Sequence, residues 1–239
     1  MEGGAELREF TDRLEMVLAR IEGAARRVGR HPSEITVIAS TKNVPVERLR
    51  TAWQAGCRHF GENRVQEALA KMEAFSDGRE PAPEWHLIGP LQTNKVKAAV
   101  GQFALMHAVD RLEVAERLDA VACARGYVQP ILLEVNVAEE ATKHGFATAD
   151  LPSAAERVGE LKGLRLLGLM AIPPAGNSPE RARPHFRHVR RLAEQVKAKH
   201  ISGVSMKELS MGMSEDFEAA IEEGATMVRI GTALFGPRQ

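Results

Sequence analysis

Lys42 is the first residue of the sequence whose type and position together suggest chemistry. It stands in IASTKNVP, residues 38–45, directly after an apolar run that begins at Ile35 and predicts a buried strand. A lysine is almost never fully buried unless it is paired or used, and its neutral amine can attack a carbonyl carbon. The alternative is that the strand simply ends here and that Lys42 points into water, as most lysines do.

The C-terminal part of the sequence contains two glycine turns that could hold a phosphate group. The stretch ELSMGMSED, residues 208–216, predicts a strand that ends near Gly212 and a helix that begins at Ser214 and extends to Glu223. A helix N-terminus offers free N–H groups to an anion, although Ser214 could equally act as a simple helix cap. The next apolar run, TMVRIGT, ends in a second turn of this kind at Gly231 and Thr232.

Arg229 lies inside that last apolar run, between Val228 and Ile230, and strand alternation places it on the inward face with Met227 and Gly231. An arginine in such a strand is costly unless a partner meets its guanidinium group, and a structural ion pair would be sufficient. Beside an inward-facing lysine and a phosphate site, however, the arginine suggests a ligand with both a carbonyl and a phosphate. Pyridoxal 5'-phosphate (PLP) fits this description, because its aldehyde reacts with a lysine and its ring nitrogen needs a partner.

The elements that would position these residues can be read from the alternation of apolar runs with helical segments. Eight strands are predicted, at residues 35–41, 59–63, 85–89, 103–110, 131–137, 164–172, 208–213 and 226–232. With one extra helix before them, over residues 5–28, they predict an α/β fold: a single (β/α)8 TIM-type barrel formed by one domain, residues 1–239. An open doubly wound sheet is the competing arrangement. In a barrel, the functional groups lie after the C-terminal ends of the strands, and the alternation from Ile38 through Ser40 would point Lys42 toward the barrel axis.

Three other side chains fall where strands or loops could bring them to the same place. His86 in WHLIG and Met170 in GLMAI lie on predicted strands, where a core position is the simpler interpretation for each. Lys143, together with His144, follows the fifth predicted strand and could reach an anion at the barrel mouth. A solvated loop lysine is the alternative interpretation.

Composition argues against several other classes of function. The 239 residues include 32 basic and 32 acidic ones, so no overall field attracts nucleic acid or an anionic membrane. Two cysteines are too few for a disulfide framework or a cysteine-based zinc site, and we expect no metal. No signal peptide or membrane span is apparent, which predicts a cytoplasmic protein. The arginine-rich segment 181–200 is interpreted as the solvated face of a helix, with an interaction surface as the alternative.

Several motifs together resemble the PLP homeostasis protein family, barrel proteins that are similar to the N-terminal domain of alanine racemase. The motifs are ASTKNVP, FGENRVQEA, WHLIGPLQTNK, HAVDR, the pattern from Asn136 to Gly145, GLMAIPP, ELSMGMSEDFEAAIEEGAT and VRIGTALFG. The resemblance implies that Lys42 forms a Schiff base with PLP, that Asn63 lies near the ring and that Arg229 meets the ring nitrogen. It assigns the phosphate to Ser210, Met213, Ser214, Gly231 and Thr232. Arg64 stands where a tyrosine is common in the family.

The resemblance also bears on whether the protein is an enzyme or a carrier. In alanine racemase, a tyrosine from a second, C-terminal β domain supplies one of two opposed acid/base groups. Here the sequence ends soon after the last strand, and the one tyrosine, Tyr127, precedes the fifth strand, at the opposite rim. We therefore expect a monomer without catalytic residues that holds PLP, supplies it to PLP-dependent apo-enzymes and serves vitamin B6 homeostasis. An amino-acid racemase and a Schiff-base aldolase for a sugar phosphate are the alternatives.

Overall fold

The β-sheet of the protein closes on itself. The computed structural model describes residues 2–75, 82–138, 144–174, 176 and 178–237, and in it eight parallel strands follow one another in chain order, the last pairing with the first. They are β1 Thr36–Ser40, β2 His59–Glu62, β3 Glu84–Leu87, β4 Leu105–Val109, β5 Gln129–Val135, β6 Leu164–Ala171, β7 Val204–Met213 and β8 Met227–Ile230. The predicted TIM-type barrel is confirmed, and the open sheet is wrong.

Helices surround this barrel. They are α1 Glu2–Arg27, α2 Val46–Gln54, α3 Val65–Phe75, α4 Val96–Ala99, α5 Leu112–Ala124, α6 Leu151–Gly159, α7 Pro179–Lys197, α8 Phe217–Glu222 and α9 Thr232–Phe235. The predicted extra helix is α1, which buries Phe10, Val17 and Ile21 and packs against α2, α8 and α9. Within the described ranges, no helix has the length and apolar character that a membrane crossing needs.

Strand alternation divides the apolar side chains into two layers. Residues such as Ala39, Phe60 and Leu87 point outward and join the main core beneath the helices. A smaller cluster, which includes Met170, fills part of the barrel interior. Met170 is therefore a core residue, as the sequence indicated. The remaining interior positions are polar to an unusual degree, and these form part of the candidate site.

The arginines of α7 pair with acids that are distant in the sequence. Arg183 lies 2.8 Å from Glu222, and Arg187 lies 2.7 Å from Glu223. Glu222 is the last residue of α8 and Glu223 follows it, and α8 packs directly on α7. The basic segment 181–200 is thus partly neutralised within the fold and is less solvated than its composition alone indicated.

Candidate functional site

Lys42 lies in the turn that follows β1, at the C-terminal mouth of the barrel. The strand ends at Ser40, and the next side chain, Thr41, is buried and donates its hydroxyl to the backbone oxygen of Gly61 and to Glu62. Because the strand stops there, its alternation does not by itself fix the direction of Lys42, and the orientation of Lys42 toward the barrel axis stays a prediction. Its side chain is exposed and lines an open cleft of about 430 Å³.

A buried ionic network holds this turn from the side of α3. The Nζ group of Lys71 donates to the backbone oxygen of Thr41 at 2.7 Å, to Glu62 Oε1 at 2.7 Å and to Glu67 Oε1 at 2.9 Å. The same oxygen of Glu67 accepts the backbone N–H of Asn43, which has a φ of +60° that asparagine tolerates better than most residues. Both neighbours of Lys42 are thereby fixed, while its own amine remains accessible.

Glu62 is tolerated in the core because of this network. It is fully buried, and burial raises the pKa of its carboxyl group, an effect that the hydrogen bonds from Lys71 and Thr41 oppose. Its second oxygen, Oε2, has no hydrogen-bond partner among the described residues. The ammonium group of Lys71 is therefore the principal compensation for a buried acid that lies directly beneath the lysine-bearing turn.

Arg229 points into the barrel, as strand alternation predicted, and is 5% exposed. It donates NH1 to the backbone oxygen and the hydroxyl of Ser210, at 2.6 and 2.7 Å, and NH2 to the backbone oxygen of Ala171 at 3.0 Å. Burial lowers its pKa to about 10, so the guanidinium group remains charged at neutral pH. Among the described residues no carboxylate lies within salt-bridge distance of it, although the charges of Glu134 and Asp216 raise its pKa and so oppose the effect of burial.

Three histidines form a row of hydrogen bonds across the barrel interior, which begins at the hydroxyl of Ser210. His107 Nδ1 lies 2.8 Å from the hydroxyl of Ser210, His107 Nε2 lies 2.9 Å from His86 Nδ1, and His86 Nε2 lies 3.2 Å from His59 Nδ1. Burial lowers the pKa of His86 to about 3 and that of His107 far below its usual value, so both rings are neutral. We call His59, His86 and His107 the histidine row. The sequence identified His86 as a core residue but not the row, because its members come from β2, β3 and β4.

The two glycine turns meet through the hydroxyl of Ser214. Its oxygen accepts the backbone N–H groups of Gly231 at 3.3 Å and of Ala233 at 3.2 Å. The turns after β7 and β8 are therefore joined at the mouth, and Thr232 lies exposed between the two donors. A Cβ atom placed on Gly231 would lie 3.6 Å from Ser40, so these turns also adjoin the end of β1.

The turn after β7 differs from the prediction in one respect. The helix α8 begins at Phe217, three residues after the predicted start at Ser214, because Asp216 Oδ1 accepts the backbone N–H of Met213 at 2.7 Å and closes a turn first. Gly212 is required here: its φ is +94°, and a Cβ atom would lie 2.9 Å from the Cα atom of Phe217.

The predicted ligand residues therefore fall into three groups at one end of the barrel. Lys42 and Asn63 line the cleft, where they are accompanied by Arg64 and Lys95. Ser214, Gly231 and Thr232 form the joined turns, beside which Met213 is 39% exposed. Ser210 and Arg229 lie deeper, in the barrel interior, so Ser210 is separated from the residues that the resemblance grouped with it.

The loop after β5 is only partly described. His144 is exposed and its Nδ1 lies 3.2 Å from Asp110, so it faces an acid rather than an open anion site. Lys143 lies outside the described residues. Glu134, near the end of β5, is buried, burial raises the pKa of its carboxyl group, and its Oε2 has no hydrogen-bond partner in the described ranges.

Comparison with known proteins identifies the family. The family described as alanine racemase, N-terminal domain, matches residues 18–239. The chain is 45% identical over 228 residues to the pyridoxal phosphate homeostasis protein of Aquifex aeolicus, a match that covers 95% of this chain and 98% of that protein. The chain belongs to the pyridoxal phosphate homeostasis protein family. PipY of Synechococcus elongatus, solved with PLP bound, has 37% identity and a TM-score of 0.81 over 95% of this chain and 100% of its own.

Alanine racemases share the fold of this family at much lower sequence similarity. The enzyme of Clostridium difficile has a TM-score of 0.70 and 15% identity over 95% of this chain. The chain spans 56% of that enzyme's length. The likeness therefore concerns the barrel and carries no information on catalysis.

The buried network beneath Lys42 leads to a stability prediction. Replacing Lys71 by Met should lower the free energy of unfolding by about 3 to 5 kcal/mol, because the carboxylate of Glu62 then lacks its cation. Adding Glu62→Gln to this variant should restore part of the loss. Urea denaturation provides the measurement, with Lys97→Met, an exposed lysine of α4, as the matched control. A Lys71→Met effect no larger than that of the control, about 0.5 kcal/mol, would contradict the role of the network.

Proposed function

We propose that this protein binds PLP at the barrel mouth and serves PLP homeostasis by holding the cofactor and supplying it to other proteins, without substantial turnover. The observation that carries the proposal is the meeting of an accessible lysine, two joined turns with N–H donors and a buried arginine at one end of the barrel. The names of the curated relatives and the PLP-bound structure of PipY support it. The cytoplasmic location, the monomeric state and the absence of nucleic acid or membrane partners stay predictions.

The residues present fit the chemistry of PLP. When bound, PLP supplies an aldehyde that a lysine can capture and a ring that can accept electrons. In the proposal, Lys42 is the lysine that forms the Schiff base, and the network of Lys71 and Glu67 fixes the backbone on both sides of it. Asn63 lines the same cleft and offers an amide to a ring substituent.

The joined turns would hold the phosphate. The N–H groups of Gly231 and Ala233 donate to the hydroxyl oxygen of Ser214, and in the proposal a phosphate oxygen replaces that hydroxyl as their acceptor when the Ser214 side chain turns to donate to the phosphate. The hydroxyl groups of Ser214 and Thr232 would add to them. The N–H of Met213 is already used by Asp216, and Ser210 lies below the turns, so in the proposal these two residues support the site.

Arg229 would act at the ring nitrogen. It remains a cation at neutral pH, and two of its five N–H donors are left after its bonds to Ser210 and Ala171 among the described residues. A charged donor at the ring nitrogen keeps that nitrogen unprotonated, which weakens the electron-accepting ring. Such a site is better suited to retaining the cofactor than to stabilising a carbanion.

The position of the tyrosine also favours a protein that holds PLP over one that catalyses a reaction with it. Tyr127 is 38% exposed and immediately precedes the N-terminal end of β5, at the opposite rim from Lys42. One observation favours the second candidate, a racemase-like enzyme: Glu134 is a buried carboxyl group with a raised pKa inside the barrel, near the mouth. Glu134→Gln therefore serves to separate the two functions.

The first prediction locates the covalent bond. Borohydride reduction of the PLP-loaded protein, followed by peptide mass mapping, should find the pyridoxyl group on Lys42, because its amine is exposed in the cleft and its turn follows Ser40, which adjoins Gly231. Lys95→Ala, at the same cleft, is the matched control and should keep the label on Lys42. Labelling chiefly on another lysine in the wild type would reject the assignment.

The second prediction concerns the phosphate. Pyridoxal should bind at least ~100-fold more weakly than PLP, because two charge-assisted hydrogen bonds of about 1.5 kcal/mol or more are lost. Ser214→Ala should weaken PLP binding by about 10-fold and leave pyridoxal binding unchanged. Absorbance titration of the cofactor-free protein gives both dissociation constants. Equal affinity for the two ligands would refute the phosphate assignment.

The third prediction separates carrier from enzyme. The loaded protein should reactivate a PLP-requiring apo-enzyme, and reactivation should partly persist when a phosphatase destroys free PLP in solution. Racemisation of L-alanine should be at least about 10²-fold slower than in a racemase with two opposed acid/base groups, since each such group typically contributes a factor of about 10² to 10⁴ in rate. Enzyme-like racemisation that disappears in both Lys42→Ala and Glu134→Gln would instead establish the second candidate function.

A further inference from the structure

A second polar cluster lies at the opposite end of the barrel from Lys42. His59 and Glu84 are the first residues of β2 and β3 and are direct partners in the parallel pairing, while His86 pairs with Gly61 two residues further along. Because alternate residues share a face of a strand, the three side chains project to the same side of the sheet. Their candidate ligand atoms all lie within 4.8 Å of one another.

Two of the three distances within this cluster are close to those between ligands of a tetrahedral metal ion. His59 Nδ1 lies 3.2 Å from His86 Nε2 and 3.5 Å from Glu84 Oε2. Zinc binds nitrogen and oxygen ligands at about 2.0 to 2.1 Å, and two such ligands of a tetrahedron are then about 3.3 to 3.4 Å apart. A shared proton would explain the contact between the two histidines. Protonated His59 would also form an ion pair with Glu84, but at 3.5 Å this contact is too long for a good hydrogen bond, and a bound metal ion accounts for both contacts at once.

We propose that His59, Glu84 and His86 form a binding site for a divalent transition-metal ion of the zinc type. The ligands are His59 Nδ1, a carboxylate oxygen of Glu84 and His86 Nε2, and water takes the fourth position. Two imidazole nitrogens and one carboxylate are a ligand set that suits zinc and differs from the all-oxygen sets of magnesium and calcium.

The surroundings of the cluster support a metal site. A metal-binding histidine usually donates its other ring N–H to a second group that fixes its orientation, and His86 Nδ1 lies 2.9 Å from His107 Nε2 in the required geometry. In the next hydrogen bond of the row, His107 can in turn donate its Nδ1–H to the hydroxyl oxygen of Ser210. The side chains of His59 and Glu84 are 29% and 60% exposed, so an ion can enter from solvent.

This site is independent of the cofactor proposal and revises the expectation that the protein binds no metal. That expectation rested on the small number of cysteines, whereas these ligands are histidines and a glutamate from two strands. The cluster is recognisable only once the register of β2 against β3 is known, since 24 residues separate His59 from its partner in the sheet.

The test is metal binding by the full chain after treatment with a chelator. Isothermal titration with zinc chloride should show one ion per chain, and His59→Gln and Glu84→Gln should each weaken binding by at least ~10-fold. His188→Gln, which removes an exposed histidine of α7, should bind as the wild type does. Cobalt(II) in place of zinc should give the visible bands of a tetrahedral ion without a thiolate charge-transfer band.

Three outcomes would overturn the proposal. One is no saturable zinc binding by the wild type, and another is binding that both ligand variants leave unchanged while circular dichroism shows that they are folded. The third is a thiolate charge-transfer band with cobalt(II), which would assign the ion to a cysteine such as the exposed Cys123. None of these measurements involves PLP, so failure here leaves the proposed function untouched.

Discussion

The parallel pairing of β1 with β8 is the constraint on which the candidate site depends. It joins Thr36–Ala39 to Met227–Ile230, segments at nearly opposite ends of the chain. Without that pairing, the turn that carries Lys42 would not adjoin the turns of Ser214 and Gly231, whose residues lie about 170 to 190 positions later. Closing so long a loop is entropically unfavourable, and it succeeds because the outward-facing side chains of every strand are buried beneath helices. The site is therefore a consequence of barrel closure as a whole.

Closure also buries charged side chains, both inside the barrel and between the barrel and its helices, and the structure compensates each charge differently. Glu62 is buried but lies against Lys71, so its compensation is an ion pair with good geometry. Arg229 has no such partner in the described part of the chain and is compensated by neutral oxygens of Ser210 and Ala171. Arg229 therefore keeps N–H donors for an electron-rich group, whereas the three N–H donors of Lys71 are already used by Thr41, Glu62 and Glu67.

The sequence predicted those structural features that neighbouring residues determine, and it did not predict those that depend on contacts between distant segments. The eight strands and the extra helix were predictable because each has its own apolar period, and the orientation of Arg229 followed because β8 is regular through Ile230. The place of Lys42 after the first strand was predictable, but the end of β1 at Ser40 was not, because Thr41 there bonds with Gly61 and Glu62 and no local pattern marks that contact. The buried role of Lys71 was not predicted, because a lysine four residues after a glutamate, here Glu67, is the usual pattern of an exposed ion pair on a helix. The histidine row was not predicted either, because its members come together only when three strands pair in register.

The histidine row links the two ends of the barrel in a way that neither end reveals alone. Because His86 and His107 are neutral, each has one donor and one acceptor nitrogen. The N–H groups of the row must therefore all donate toward Ser210 or all donate toward His59. At the inner end both directions are allowed, since the hydroxyl of Ser210 can donate to His107 or accept from it while also accepting from Arg229. His59 is the half-exposed member, so the direction is decided there. The species bound at His59 Nδ1, a proton or a metal ion, thus sets the direction of the hydrogen bond between His107 and Ser210, beside Arg229 in the barrel interior.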